Sequence, residues 1–287
     1  MKFANYTEFN RDKKKHGVEY AVKRTKELGF DSVEWFESSH LKHLEDVDTS
    51  VKILKRYEIS MACYSVLVSL FDAAPSELEE HMKIHAEAAA KLGSKYLHHT
   101  VFPPVNMIEV KNSFNEVFDS VVDVAERVAK NCNAHGLICL YEPQGVYFNG
   151  VEGLGKFFEE MVRRGCKVGI CGDFGNPFFV DVDSTRVFKT FAKEIEHIHV
   201  KDYLVTDTEF PADKIYKSLS GKNIYEAELG KGTVDLAYGF REMSKVGYNG
   251  SVSFEFGGND EELKEKLKYI KGIIEESTLD PYLAFEG

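Results

Sequence analysis

Along the chain, amphipathic stretches alternate with short runs in which nearly every residue is apolar. Val18, Ala21, Val22, Thr25 and Leu28 share one helical face, as do Leu78, Met82, His85, Ala89 and Leu92, and Leu236, Phe240, Met243 and Val246. In five places a helical stretch ends at a glycine and an apolar run follows: ELGFDSVEWF from Glu27, KLGSKYLHHT from Lys91, AHGLICLYE from Ala134, RRGCKVGICGD from Arg163 and KVGYNGSVSFEF from Lys245. Glycine just past a helix end adopts the left-handed conformation at little cost, so each junction reads as helix followed by strand. With the runs FANY from Phe3, SMACYSV from Ser60 and EHIHV from Glu196, the pattern predicts about eight strands alternating with about eight helices.

Strict alternation of this kind implies a parallel sheet with crossover helices. Eight repeats in 287 residues predict an α/β fold, one closed (β/α)8 TIM barrel spanning residues 1–287, with no interdomain linker. An open doubly wound sheet would ask for a GxGxxG turn after an early strand, and the sequence has none. The 43% hydrophobic content is ample for such a core. MKFANYTEFN lacks the apolar centre of a signal peptide, and no apolar run approaches the roughly 18 residues of a membrane span, so a cytoplasmic protein without membrane contact is expected. Cys63, Cys132, Cys139, Cys166 and Cys171 are odd in number and form no CxxC pair, which predicts reduced, mostly buried thiols. A net charge of −11 disfavours nucleic acid as a partner. KKK from Lys13 reads as a solvated loop before the first helix, and the tail STLDPYLAFEG as a segment packed on the barrel or on a second subunit.

In a barrel of this type the site lies at the carboxyl ends of the strands. There the sequence concentrates ionisable groups: His98 and His99 on the fourth strand, Glu142 on the fifth, Asp173 with Asn176 on the sixth, His197, His199 and Lys201 on the seventh, and Glu255 on the eighth. Residues i and i+2 of a strand share a face, so His197, His199 and Lys201 project together. Several buried carboxylates on one axis repel unless a cation lies among them. Glu142, Asp173, His199 and Glu255 make three carboxylates and one imidazole, a set that suits Mn²⁺ first, then Co²⁺ or Mg²⁺.

The stretches VGICGDFGNPFFVD, HIHVKDY, LGKGTVD and SVSFEFGG resemble motifs of the sugar phosphate isomerase/epimerase family in the xylose isomerase-like TIM barrel superfamily, most firmly from Leu137 to Gly258. The resemblance implies a divalent metal on Glu142, Asp173, His199 and Glu255, with Glu142 and Glu255 as the acid–base pair. It implies a metal-dependent isomerase or epimerase that abstracts an α-proton from a keto- or aldo-sugar and forms an enediolate. The same chemistry serves an alternative, a lyase or dehydratase on an inosose or keto-glycoside, with a partner subunit and one of His98 and His99 as acid or base. More remote are an AP-endonuclease-like enzyme, disfavoured by the acidic charge, and a non-catalytic sugar-binding barrel. The chain departs from ketose 3-epimerases at Asn176 and Phe148, where those have His and Glu.

Alternation sends only one of His98 and His99 into the barrel, and His99, nearer the carboxyl end, is favoured as the catalytic one. Glu34, His98, Asn176, His197 and Lys201 are expected to bind substrate. For Lys201 the competing reading is an ion pair with Glu142 or Asp173, and for Glu34 it is support of a neighbouring basic side chain. The long connection from Asp202 to Thr233 is expected to be a specificity lid. A homo-oligomer or a partner subunit is left open.

Overall fold

All eight apolar runs become strands of one barrel in the computed structural model, which describes residues 1–38, 47–68, 75–100, 113–212 and 214–278. The strands are β1 (Lys2–Asn5), β2 (Ser32–Ser38), β3 (Ser60–Leu67), β4 (Tyr96–His99), β5 (Ile138–Tyr141), β6 (Val168–Asp173), β7 (Ile195–Val200) and, after three short strands outside the barrel, β11 (Ser251–Phe254). They close in the order β1-β11-β7-β6-β5-β4-β3-β2, and every neighbouring pair is parallel. The crossover helices are α1 (Thr7–His16) and α2 (Val18–Glu27) after β1, α3 (Val47–Arg56), α4 (Pro75–Lys91), α5 (Phe114–Ala134), α6 (Gly150–Arg163), α7 (Ser184–Thr190), α8 (Leu236–Lys245) and α9 (Asp260–Thr278).

Local chemistry sets these boundaries. The glycine at each of the five helix–strand junctions has positive φ, from +68° at Gly247 to +89° at Gly29. Ser113 and Glu116 form a reciprocal capping box at the start of α5. Asn149, Asp183 and Asp235 accept backbone N–H bonds at the starts of α6, α7 and α8. The helical stripes face the barrel: Ala21, Val22, Thr25, Leu28, Leu78, Met82, His85, Ala89, Leu92, Leu236, Phe240 and Met243 are all buried. Val246 is an exception at 37% exposure, because α8 has ended one residue earlier. Inside the barrel, below the ionisable layer, Cys63, Tyr96, Leu140 and Cys171 form a small core of their own. All five cysteines are free and buried.

One expectation is corrected. Lys13–Lys15 belong to α1 rather than to a loop, and Lys13 is largely withdrawn from solvent, bonded at 2.7 Å to both Glu37 Oε1 and the Phe36 carbonyl. The Asp202–Thr233 connection, the expected lid, carries secondary structure of its own. Within it β8 (Tyr203–Thr206), β9 (Tyr216–Lys217) and β10 (Asn223–Glu226) form an antiparallel sheet with β10 in the middle. Asp202 fastens it to the barrel by accepting backbone N–H bonds from Gly230, Gly232 and Val234 at 2.9, 3.0 and 3.3 Å. The tail from residue 279 onward lies outside the described residues. Among the described residues no helix is long and apolar enough to cross a membrane.

Candidate metal centre

The register of β6 against β7 slips by one residue between Ile170 and Cys171, which sets His197 beside Cys171 and His199 beside Asp173. Both histidines point into the barrel and are buried. Nδ1 of His199 faces three carboxylates from three strand ends: Glu142 Oε2 at 3.2 Å, Glu255 Oε2 at 3.5 Å and Asp173 Oδ2 at 3.7 Å. Its Nε2 faces the other way, 3.0 Å from each oxygen of Glu34 on β2. Ligand atoms of Glu142, Asp173 and His199 lie within 4.8 Å of one another.

Neighbouring groups fix these side chains. Asp173 Oδ1 accepts the backbone N–H groups of Gly175 and Asn176 at 2.8 and 2.6 Å, so Oδ2 is the oxygen it presents. Lys201 Nζ reaches Glu255 Oε2 at 2.6 Å, Asp173 Oδ2 at 3.0 Å and Asn176 Oδ1 at 3.2 Å. The His199 ring is stacked on Tyr6 at 5.4 Å and meets His98 edge-on at the same centroid distance. His98 Nε2 lies 3.6 Å from Glu142 Oε1, and neither nitrogen of His98 has a hydrogen-bond partner among the described residues.

The electrostatics follow from this packing. Burial pushes Asp173 up, but Lys201 and His199 overcome it and hold the carboxyl at about 2. Burial raises Glu255, and the nearby Lys201 and His199 do not cancel the rise. Burial disfavours the Lys201 cation, yet Asp173 and Glu255 raise its pKa well above the usual lysine value. Glu34, Glu142, Asp173 and Glu255 thus crowd around a single lysine and the imidazoles of His98, His197 and His199. A divalent cation fits this donor set, because Nδ1 of His199 and the carboxylates around it converge on one point while Nε2 is already bonded elsewhere. Cys63 and Cys171 also lie near His197, but burial pushes Cys171 up to about 12 and Cys63 well above the ordinary thiol value, which keeps both neutral.

Residues 22–273 match the family model of the xylose isomerase-like TIM barrel. The chain belongs to that family. No curated protein matches it in sequence. Among solved structures, a D-allulose 3-epimerase from Methylomonas sp. superposes with a TM-score of 0.74 at 15% identity, over 95% of this chain and 98% of that one. An IolI protein with a bound zinc atom gives 0.72 at 17% identity, over 96% and 99%. The 3-keto-D-glucoside 4-epimerase YcjR from E. coli gives 0.72 at 15% identity, over 95% and 99%. At these identities the likeness is one of fold.

Against the sequence expectations, this barrel gathers Glu142, Asp173, His199, Glu255, His98, Asn176 and Lys201 at one end. His99 is corrected. It turns outward to the helix layer, where Nε2 lies 3.2 Å from the hydroxyl of Tyr141, itself packed on Phe157 of α6. Strand alternation then puts His98 inside. Glu34 and His197 lie deeper and are bonded to one another: both are fully buried, and His197 Nε2 is 2.8 Å from Glu34 Oε2. Lys201 makes the ion-pair contact, with Asp173 and additionally with Glu255. Phe148 is buried against Phe114, Phe118 and Phe157, so no carboxylate stands at that position. Tyr6 and Ser65, both at carboxyl ends of strands, were not singled out from the sequence; that placement was the available signal.

Proposed function

We propose that this barrel is a divalent-metal-dependent sugar isomerase or epimerase that moves a proton at the carbon beside a carbonyl. Glu142, Asp173, His199 and Glu255 would hold the ion, Mn²⁺ before Co²⁺ or Mg²⁺. Such an ion, when bound, polarises a hydroxycarbonyl and acidifies the carbon between its oxygens. The observation that carries this reading is the convergence of three carboxylates on Nδ1 of His199.

The residues divide the remaining work. Asp173, held ionised by Lys201 and two backbone N–H groups, is a ligand rather than a proton carrier. Glu255 has 32% of its side chain exposed and a raised pKa, which suits a group that takes a proton from substrate and exchanges it with water. Glu142, reaching in from β5, is its counterpart. His98, whose ring nitrogens have no hydrogen-bond partner among the described residues, would bind a sugar oxygen. That relatives of this fold include a D-allulose 3-epimerase and a 3-keto-D-glucoside 4-epimerase supports a sugar as substrate, and the zinc in IolI supports a metal. Elimination from an inosose or keto-glycoside is the second reading; it begins with the same abstraction, and the uncharged Asn176 and Phe148 positions set this chain apart from ketose 3-epimerases.

The test is a panel of free keto- and aldo-sugars, inososes and 3-keto-glycosides followed by NMR with Mn²⁺ present. Conversion of at least one member, lost on chelation and restored by metal, is expected. No conversion, together with no metal in the purified protein and no uptake of Mn²⁺ or Co²⁺, would instead indicate a sugar-binding barrel without catalysis.

A further inference from the structure

We infer that Glu34 is a positioning residue: its carboxylate, at the floor of the site, fixes the ring and the tautomer of His199 so that Nδ1 is presented to the metal. The inference rests on the metal reading above and deepens it. Glu34 cannot serve a sugar directly, since it is 0% exposed and its oxygens are occupied. Oε1 accepts from the Ser65 hydroxyl and from His199 Nε2, and Oε2 accepts from His197 Nε2 at 2.8 Å and from His199 Nε2 at 3.0 Å.

A neutral imidazole carries its proton on the nitrogen that has an acceptor. For His199, facing Glu34 through Nε2, that leaves the Nδ1 lone pair directed at Glu142, Asp173 and Glu255. His197 has an unpartnered Nδ1 and donates through Nε2, so its role is to hold Glu34. The chain arranges this across the barrel rather than locally. Glu34 lies three strands round from β7, and the register of β2 against β3 shifts between Val33 and Glu34, a bulge of the kind that re-aims a side chain. Tyr6 stacked on one face of the His199 ring and His98 against it set the ring plane, and Glu34 sets which nitrogen points up.

Glu34→Gln keeps the size but leaves one acceptor oxygen and one donor NH₂ where two acceptors are needed. A single uncharged oxygen must then serve both imidazoles, or one of them faces the NH₂. Calorimetric titration with Mn²⁺ and Zn²⁺ is expected to show about 10- to 100-fold weaker binding than wild type. In ¹⁵N NMR of the Zn²⁺-loaded protein, the His199 ring is expected to be protonated at Nε2 in wild type and to lose that single-tautomer signature in the variant, a change that a general loss of packing would not produce. Equal affinity and an unchanged ring spectrum would overturn the inference. Should Glu34→Gln not fold, Ser65→Ala removes one bond from Oε1 and is expected to weaken metal binding by about 2- to 10-fold; no loss there overturns the inference equally. A wild-type protein that binds neither ion overturns the metal reading itself, and is recognised without any variant.

Discussion

Replacing Glu255 or Glu142 by Gln is expected to lower turnover by at least about 10²-fold while measurable metal binding survives. Glutamine keeps the length of the side chain and one ligand oxygen, but it cannot accept a proton. Both carboxylates reach His199 Nδ1, Glu255 from the neighbouring strand and Glu142 from two strands away, so they would approach a bound substrate from different sides. Proton removal on one side and return on the other is what epimerisation needs. Because the loss falls on the chemical step, kcat should drop far more than KM rises. A loss under about tenfold in both variants would reduce the two residues to ligands, since removing a true general base costs about 10² to 10⁴.

His199→Ala is expected to weaken divalent-metal binding far more than His197→Ala, with the titration midpoint as the readout. The two side chains share a strand, a face and full burial, yet only His199 has a nitrogen facing Glu142, Asp173 and Glu255. His197 reaches the site only through Glu34. Loss of a group that supports a ligand costs at most about 10- to 100-fold in affinity, and loss of the ligand itself should exceed that. Equal affinity of the wild-type and His199→Ala proteins would remove His199 from the donor set.

Much of the architecture was legible because it depends on local signals. A glycine after each of five helices, and an apolar run after each glycine, locate the strands without any knowledge of their partners. The position of Glu142, Asp173, His199 and Glu255 at strand ends follows from the fold alone. Facing was harder to read. In a parallel barrel both faces of a strand are buried, and all four residues of β4 are, so YLHH carries no polar alternation to say which histidine looks inward. The support of His199 was not legible either. Glu34 is 163 residues from His197 and 165 from His199, and the contact is made by barrel closure and a bulge rather than by any motif. The sheet within Asp202–Thr233 escaped notice for a related reason. Its strands are short, with β9 only two residues long, and Asp202 rather than an apolar pattern holds the loop that follows them.

Whether a carboxylate carries the migrating proton is read from solvent isotope incorporation during turnover of an accepted sugar in deuterated water. A carboxylate with access to water exchanges its proton between removal and return, and the Glu255 side chain is 32% exposed although its Oε2 is buried. Deuterium is expected at the carbon beside the carbonyl in product, and in recovered substrate after many turnovers. Full retention of the substrate's own hydrogen in both would contradict it, because the hydrogen would then have passed between carbons without touching Glu142 or Glu255.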